Sequence, residues 1–346
     1  MKGKVQTVLG PIKGEELGIT LVHEHLLVDA TCAFMEPSDS REEHLAHEPV
    51  SLDNIGDIRF APRSNIDNLC MFDEDKIINE VLLYKLAGGN TIVDVTPLTL
   101  HRDPDAMVRI SKATGINVVM GLGYYIGRHS SDEVESRSEE ELAQEFIHDI
   151  TVGVGPNRVR AGIIGEIGCS YPLEDIERKV LRAAARAQYH TGAPLTIHPG
   201  YGEPSALEII GVLKAAGADI SRTIMCHVDI SVREESTRYE LAKTGCYLAY
   251  DHMGRLEYFS PHAWTLDLPD DLGRIDEIIK LIEWGYLNQI LVSHDIASKE
   301  TRSSYGGHGY EHILRRIVPL MKKRGITGDA INTILVENPK RVLTFL

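Results

Sequence analysis

Short apolar runs rich in β-branched residues alternate with longer amphipathic segments along almost the whole chain. The apolar runs are typical of buried strands, whereas the segments between them repeat apolar residues at helical spacing. Eight such units in order predict a parallel sheet, because each crossover between parallel strands requires a long connection, usually a helix. The predicted strands are 18–24, 91–96, 117–122, 161–167, 194–199, 223–228, 246–251 and 289–295, and the predicted helices are 73–87, 103–114, 137–152, 173–190, 204–216, 232–244, 271–286 and 310–324.

Eight β/α units in one domain favour an α/β fold of the closed (β/α)8 TIM-barrel type over an open doubly wound sheet. No Gly-x-Gly-x-x-Gly turn follows the first strand, which argues against a dinucleotide-binding fold. The polar segment 30–72 predicts a long insertion after strand 1, and the tail 326–346 predicts an extra C-terminal helix. The Gly-rich loop 296–309 is interpreted as a mobile lid. We expect a single domain over residues 1–346.

The composition narrows the classes of function. The 346-residue chain carries a net charge of -15, which opposes a nucleic-acid or anionic-membrane partner because a polyanion requires a basic surface. No apolar run reaches the roughly 18 to 20 residues of a membrane span. Five cysteines without a CxxC pair fit a reducing compartment and argue against disulfides or a thiolate zinc site. We therefore expect a cytoplasmic globular protein.

Polar residues stand at the C-terminal ends of several predicted strands, where barrel active sites lie. His23 and His25 alternate on the first strand, so both side chains project to one face. One buried histidine is commonly a satisfied core residue, and the pair alone is a weak signal. Later strands also end in polar residues, and unpaired polar groups in a plain core would cost free energy. The resulting candidate metal ligands are His23, His25, Glu166, His198, His227 and Asp295.

Four imidazoles and two carboxylates form a nitrogen and oxygen ligand set that suits Zn²⁺ or Mn²⁺ better than soft thiolate chemistry does. Six ligands exceed what one tetrahedral zinc with an open position requires. They suit two ions about 3.5–4 Å apart that share a carboxylate and a water. The sequence therefore predicts two divalent metal ions per chain, with Zn²⁺ first and Mn²⁺ or Co²⁺ as alternatives.

The motifs "HEHL", "GIIGEIG", "TIHPG", "CHVD" and "VSHD", in this order, resemble the phosphotriesterase family of the amidohydrolase superfamily, and "YGGHGY" and "ENPK" resemble its phosphotriesterase-related branch. The resemblance runs essentially end to end. It implies that His23, His25 and Asp295 bind one metal, that His198 and His227 bind the other, and that Glu166 bridges the two. Founding members bridge with a carboxylated lysine, but "AGIIGEIGCS" contains no lysine. Because a glutamate needs no CO₂ to become a ligand, we expect metal loading to be indifferent to bicarbonate.

The same resemblance implies roles around the metals. Tyr125 matches a tyrosine that lies near the bridging water in the family's lactonases; aromatic packing is the alternative. His252 resembles the histidine that takes a proton from the metal-bound aspartate, here Asp295; an exposed histidine without a role is the alternative. Loop cations at the barrel mouth could hold an anionic substrate tail, or could serve solubility alone. The candidate substrate contacts are Tyr124, Arg128, Tyr201, Lys299, Arg302 and His308.

The predicted reaction is hydrolysis of a small-molecule substrate by a metal-bridging hydroxide, with Asp295 as the proton acceptor. The related branch includes an N-acetyltaurine amidohydrolase, so the resemblance implies an N-acyl amide with an anionic tail. A lactonase or carboxylesterase acting on small or sugar lactones, with weak phosphotriesterase activity, is the alternative. Two rivals are a non-catalytic small-molecule-binding barrel, which the complete ligand set opposes, and a mononuclear deaminase-like barrel, which Glu166 opposes. Family members often form homodimers, and this sequence leaves the oligomeric state open.

Overall fold

A barrel of parallel strands surrounded by helices forms the body of the protein, as the sequence predicts. The computed structural model describes residues 2–37, 43–127, 132–255 and 268–346. All eight predicted barrel strands are present in these ranges, as β3 and β6 to β12. In chain order the strands are β1 Lys4–Thr7, β2 Gly10–Lys13, β3 Thr20–Glu24, β4 Val28–Asp29, β5 Cys70–Met71, β6 Thr91–Asp94, β7 Asn117–Met120, β8 Ile164–Gly168, β9 Leu195–His198, β10 Thr223–Met225, β11 Tyr247–Tyr250 and β12 Ile290–Val292.

The eight predicted helices form within three residues of their expected ends. Local signals explain the limits of the best defined ones: Asp103 caps the start of one helix by accepting from Ala106 N, and Gly115, with φ 67°, ends it. The extra C-terminal helix is confirmed over Gly328–Leu343. None of the described helices is long and apolar enough to cross a membrane. The helices are α1 Ile55–Phe60, α2 Glu74–Leu86, α3 Pro104–Thr114, α4 Asp132–Ser136, α5 Glu139–Thr151, α6 Asp175–Thr191, α7 Ser205–Ala215, α8 Val228–Ser231, α9 Glu235–Lys243, α10 Asp271–Glu283, α11 Val318–Lys323, α12 Gly328–Asn332 and α13 Asn338–Leu343, with wide π turns before α11 and α13.

Two parallel ladders, β3–β6–β7 and β8–β9–β10–β11–β12, make up the barrel wall. They meet at one side where Leu122 and Gly165 exchange backbone hydrogen bonds. At the other side the segment after β12 returns to β3, because Asp295 N donates to His23 O over 3.1 Å. The sheet therefore closes on itself, and the ends of the first and last strands become neighbours.

The side chain of Glu24 reinforces this second junction. It is fully buried and points away from the two histidines that flank it. Its carboxylate accepts from Ser293 Oγ (2.8 Å), His294 N (2.9 Å) and Ile296 N (3.0 Å), and lies 2.8 Å from His294 Nδ1. Glu24 thus ties strand β3 to the segment that follows β12.

A hairpin of β1 and β2, which the sequence analysis did not predict, precedes the barrel. Its four-residue strands are too short to show a periodic pattern. The side chain of Val5 is fully buried in one apolar cluster with Val22, Val93 and Val119 of the barrel strands. The hairpin therefore supplies part of the barrel's core.

The segment 30–72 is an insertion after the first barrel strand, as predicted. Its ends are joined by the antiparallel pair β4–β5, in which Val28 pairs with Met71 and Asp29 with Cys70. Between them it forms short helical turns and α1. The insertion is thereby held over the C-terminal mouth of the barrel, beside the candidate site.

The loop 296–309, interpreted from the sequence as a mobile lid, is attached to the barrel at several points. Arg302 is 2% exposed and donates from Nη2 to Leu26 O over 2.8 Å. The carboxylate of Glu80 accepts from the backbone N–H groups of Ser303 and Ser304. The polar residues of this loop are bound to the protein rather than to solvent, which fixes the loop against the barrel.

We expect Glu24→Gln to destabilise the barrel strongly, because the amide nitrogen cannot accept and leaves at least one buried donor unpaired. The free energy of unfolding, measured by urea denaturation, should fall by about 2–4 kcal/mol. The exposed Glu48 provides the control, since Glu48→Gln should change it by less than about 0.5 kcal/mol. Equal stability of the two variants would show that Glu24 does not hold the junction.

Candidate metal centre and active site

The six predicted ligands converge at the C-terminal end of the barrel. On one side, His25 Nε2 lies 3.1 Å from Asp295 Oδ1 and 3.6 Å from Glu166 Oε1. His23 Nε2 lies 3.5 Å from both Glu166 Oε2 and Asp295 Oδ1. On the other side, His198 Nδ1 is 3.2 Å from Glu166 Oε2 and 2.8 Å from His227 Nε2. Glu166 therefore stands between the two pairs of histidines.

The chemistry of this cluster fits bound cations. His23 Nε2 and Glu166 Oε2 are buried and have no hydrogen-bond partner among the described residues, an arrangement that is costly unless another group satisfies them. Burial opposes ionisation of Glu166, but the neighbouring imidazoles outweigh it and lower its pKa to about 2. Burial also lowers the pKa of His227 to about 4, which keeps this imidazole neutral. Burial lowers the pKa of His23 and His25 as well, but neighbouring anionic groups outweigh it and raise both. These two imidazoles would therefore release a proton as a cation binds, because ionised carboxylates and neutral imidazoles are the forms that bind metals.

The backbone departs from regular strands where it presents these groups. The register of β3 against β6 shifts between Leu21 and Glu24, around His23, and that of β8 against β9 shifts between Ile164 and Ile167, around Glu166. Such shifts re-aim side chains and are common beside active sites. His227 and Asp295 adopt left-handed φ values of 54° and 53°, which are unfavourable for these residues and typical of functional sites.

A second layer of polar groups orients the histidines. Asp251 Oδ1 lies 2.9 Å from His227 Nδ1, and Asp251 Oδ2 lies 3.1 Å from His23 Nδ1. Thr96 Oγ1 is 2.9 Å from His25 Nδ1. These contacts leave the Nε2 atoms of the three histidines directed at the centre, as ligands held by outer hydrogen bonds are. The buried thiol of Cys226 also lies 3.1 Å from His23 Nδ1.

A chain of polar groups leads away from Asp295. His252 Nε2 lies 3.4 Å from Asp295 Oδ2, and His252 Nδ1 lies 3.3 Å from Asp229 Oδ1. Asp229 in turn accepts from Arg274 Nε over 2.8 Å. Burial by itself lowers the pKa of His252, but Asp229 and then Asp295 outweigh it and raise the pKa to about 9. His252 is buried, so it is not the exposed loop histidine of the alternative interpretation.

The cluster opens into a pocket that the insertion helps to build. His25, Glu166, His198 and Asp295 form its floor, and Tyr125 and Tyr201 stand at its side, with ring centroids 5.0 and 5.9 Å from that of His198. Burial raises the pKa of Tyr125 well above its ordinary value, so its phenol stays protonated. The wall includes Val28, Ala30, Cys32, Ala33, Pro62, Arg63, Leu69, Leu100, Arg255, Ala297, Ser298 and Glu300.

Four of the predicted substrate contacts do not line this pocket. The hydroxyl of Tyr124 lies 3.0 Å from the Glu145 carboxylate, on the helix side of the sheet. Lys299 is bound to Asp67 at 2.5 Å. Arg302 is buried against the backbone, as described above. His308 lines a neighbouring cavity instead of the pocket.

Arg128, also predicted to contact substrate, lies outside the described residues.

Sequence reasoning missed Arg63 and Arg255, the two arginines among the described residues of the pocket wall. Arg255 Nη2 donates to the backbone oxygen of Asp295 and lies 3.3 Å from its Oδ2. The position of Arg255, three residues beyond His252, was a usable signal because that segment follows a strand end. Arg63 had none, since nothing in the insertion's sequence shows which of its residues faces the barrel.

The whole-chain comparison agrees with this centre. Residues 3–343 match the model of the phosphotriesterase family. The chain belongs to the phosphotriesterase family. Members of this family are binuclear metal enzymes, and the buried His, Asp and Glu groups found here could bind such metals.

Two curated relatives cover essentially the whole chain. The phosphotriesterase-related protein of Nematostella vectensis is 42% identical, over 99% of this chain and 99% of that one. The N-acetyltaurine hydrolase of Bos taurus is 41% identical, over 100% of this chain and 99% of that one. Both agree with the predicted branch of the phosphotriesterase family.

Solved structures agree with the fold. A resiniferatoxin-binding protein from Rhodobacter sphaeroides superposes with a TM-score of 0.95 at 35% identity, covering 99% of this chain and 95% of that one. A lactonase from Listeria monocytogenes superposes with a TM-score of 0.79 at 26% identity, covering 99% of each chain. Family, relatives and structures together identify this phosphotriesterase-family protein as a metal-dependent hydrolase.

We expect Glu166→Ala to lower the metal content of the purified protein from about two ions per chain to one or fewer, because a carboxylate shared by two ions is lost. Elemental analysis of freshly purified protein measures this. Glu145→Ala, which removes a carboxylate remote from the centre, is the control and should keep the wild-type content. Unchanged stoichiometry in Glu166→Ala would mean that Glu166 is not the bridge. Adding bicarbonate during reconstitution should change neither result.

Proposed function

We propose that the protein hydrolyses an amide of a small N-acyl compound that carries an anionic tail, with N-acetyltaurine as the leading candidate. The observation that carries the proposal is the pairing, in one pocket, of the candidate metal ligands with Arg63 and Arg255. In a chain with a net charge of -15, the overall composition does not account for two arginines in one pocket. The 41% identical N-acetyltaurine hydrolase of Bos taurus supports the same substrate class.

The proposed centre holds two divalent ions, Zn²⁺ first, between His23, His25 and Asp295 on one side and His198 and His227 on the other, with Glu166 shared. When bound, the ions would supply Lewis acidity and lower the pKa of a water toward neutrality.

Asp295 is the proposed proton acceptor for that water. Its carboxylate faces the centre through Oδ1, near His25, and faces outward through Oδ2, near His252. His252 already carries a proton near neutral pH, because Asp229 stabilises the charged imidazole and its pKa is raised to about 9. Once His252 has given this proton up, its Nε2 can take the one held at Asp295. Arg274 fixes Asp229 in place. The protonated group is then available to the departing amine.

The walls of the pocket fit the rest of such a substrate. Apolar side chains from β4, the insertion and the loop after β6, including Val28, Ala30 and Leu100, suit a small acyl group. The protonated phenol of Tyr125 can donate to the carbonyl oxygen as negative charge develops there. Arg63 is the proposed partner of the anionic tail, because it lines the same pocket as the candidate metal ligands and a guanidinium suits a sulfonate or carboxylate.

The metal-loaded enzyme should release acetate and taurine from N-acetyltaurine, measured against a panel of small γ-lactones and sugar lactones. Asp295→Asn is the matched control. Its kcat should fall about 10²–10⁴-fold because the proton acceptor is lost. The variant should still bind its metal and unfold near the wild-type temperature. If the enzyme hydrolyses lactones but not amides, a lactone replaces the amide as the proposed substrate class. Near wild-type activity of Asp295→Asn would remove its role.

Arg63→Gln should raise KM for N-acetyltaurine by about 10- to 100-fold, the equivalent of about 1.5–3 kcal/mol for a hydrogen bond to a charged group, with little change in kcat. The neutral comparator N-ethylacetamide should be processed equally by wild type and variant. Arg109→Gln is the control, because Arg109 is an exposed residue of α3 that pairs with Glu74 of α2. An unchanged KM for the anionic amide in Arg63→Gln would assign the tail to another group.

A lactone is the second candidate substrate. The solved lactonase from Listeria monocytogenes, with its TM-score of 0.79, favours it. The two candidates share the same attack on a carbonyl and differ in the leaving group, which is an alkoxide for a lactone and an amine for an amide. The amine must be protonated to depart, so loss of His252 should reduce amide turnover more than lactone turnover.

A further inference from the structure

A second cavity lies beside the catalytic pocket, with a volume of about 560 Å³. The two share Pro62, Arg255 and Glu300 in their walls. The residues that give this cavity its character are basic, and we call it the basic chamber, lined by Arg59, Arg255, His308, His312 and Arg316. They come from the insertion, from the segment after β11 and from the segment after β12.

Two of these arginines have no described carboxylate partner. Arg59, on α1, donates from Nη2 to Tyr305 O over 3.2 Å, which positions the guanidinium without neutralising it. Arg316 is exposed and makes no ion pair or side-chain hydrogen bond with any residue in the described ranges. Uncompensated cations facing one cavity create a positive potential there, and the low-dielectric walls strengthen it.

Two imidazoles add buried nitrogen atoms that lack partners. His308 Nε2 and His312 Nδ1 are buried and form no hydrogen bond within the described part of the chain. His308 is packed closely: a Cβ added to Gly254 would lie 2.6 Å from its ring. Burial lowers the pKa of His308 well below its ordinary value, so this imidazole offers an N–H donor rather than a charge.

Two carboxylates lie near the basic chamber and reduce its charge only in part. Glu300 lines the wall and accepts from Ser298 Oγ over 2.8 Å. Asp271 is 2.9 Å from His312 Nε2 and 3.3 Å from the buried Arg274. Because Arg255 is already paired with Asp295, the balance among the described lining residues is Arg59 and Arg316 against Glu300, which favours an anion.

We propose that the basic chamber binds a small oxyanion of the phosphate, sulfate or sulfonate class. Arg59 and Arg316 supply the unshared charge, and His308 Nε2 supplies a buried nitrogen that is otherwise unsatisfied. Arg255 lines the chamber while it is bound to Asp295, so an anion there competes with the catalytic carboxylate for the same guanidinium. The occupant is either a free oxyanion or the tail of a substrate whose other end lies at the metal centre.

Calorimetric titration of the metal-loaded enzyme with inorganic phosphate tests this proposal. Arg59→Gln/Arg316→Gln should weaken phosphate binding at least about tenfold, the loss expected for charge-assisted contacts. Arg160→Gln, which removes an exposed arginine before β8 with no described partner, should bind phosphate like the wild type. Equal binding by all three proteins would overturn the proposal, because phosphate would then reside at the metal centre alone or bind adventitiously. Thermal unfolding of each variant confirms that the fold is kept.

Kinetics distinguish the two sources of the oxyanion and are independent of the binding result. If the occupant is a substrate tail, which rests on the proposed function, the double variant raises KM for N-acetyltaurine and phosphate competes with it. If the occupant is a free oxyanion, KM is unchanged and phosphate alters turnover without competing. Failure of the enzyme to hydrolyse any amide would refute the proposed function but leave the phosphate titration as a complete test of the chamber.

Discussion

The carboxylate of Glu24 holds the last barrel strand against the first, and the reactive centre depends on this contact. It accepts from three donors at and after the end of β12, so the segment that carries Asp295 is fixed relative to the strand that carries His23 and His25. Without that junction the two halves of one proposed metal site would lie on independent ends of an open sheet. The glutamate between the two histidines thus serves the site from the opposite face, by building the barrel instead of binding a metal.

A second constraint on the reactive centre is electrostatic. Four imidazoles and two carboxylates crowd together in a buried space, and their approach is favourable only if each has a defined protonation state and a fixed direction. Asp251 sets the direction of two histidines at once, and Asp229 and Arg274 anchor His252 behind Asp295. This outer layer also explains why Arg274 is fully buried, since its guanidinium is paired with Asp229.

The strand and helix order, the barrel and the six candidate ligands could be predicted because each depends on local pattern: apolar periodicity, and a polar residue where a strand ends. Where the structure places a predicted substrate contact outside the pocket, the reason is physical. Lys299 and Arg302 lie on the correct face of the barrel, but long cationic side chains reach several ångströms, and theirs turned toward Asp67 and the Leu26 backbone. Tyr124 and Tyr125 are adjacent, so they face opposite sides, and only the second meets the pocket. Arg63 could not be predicted, because the insertion has no periodic pattern that shows which of its side chains point toward the barrel.

The position of the insertion has a consequence for how this molecule can change. The candidate metal ligands come from strand ends buried in the barrel, whereas a third of the described pocket lining comes from residues 30–72, a separate stretch of chain. Substitutions or length changes there can alter which molecule is accepted while the chemistry stays intact. The choice of substrate would then depend largely on one segment of the chain that can vary independently of the barrel. The relatives of this chain accordingly include an N-acetyltaurine hydrolase, a lactonase and a resiniferatoxin-binding protein.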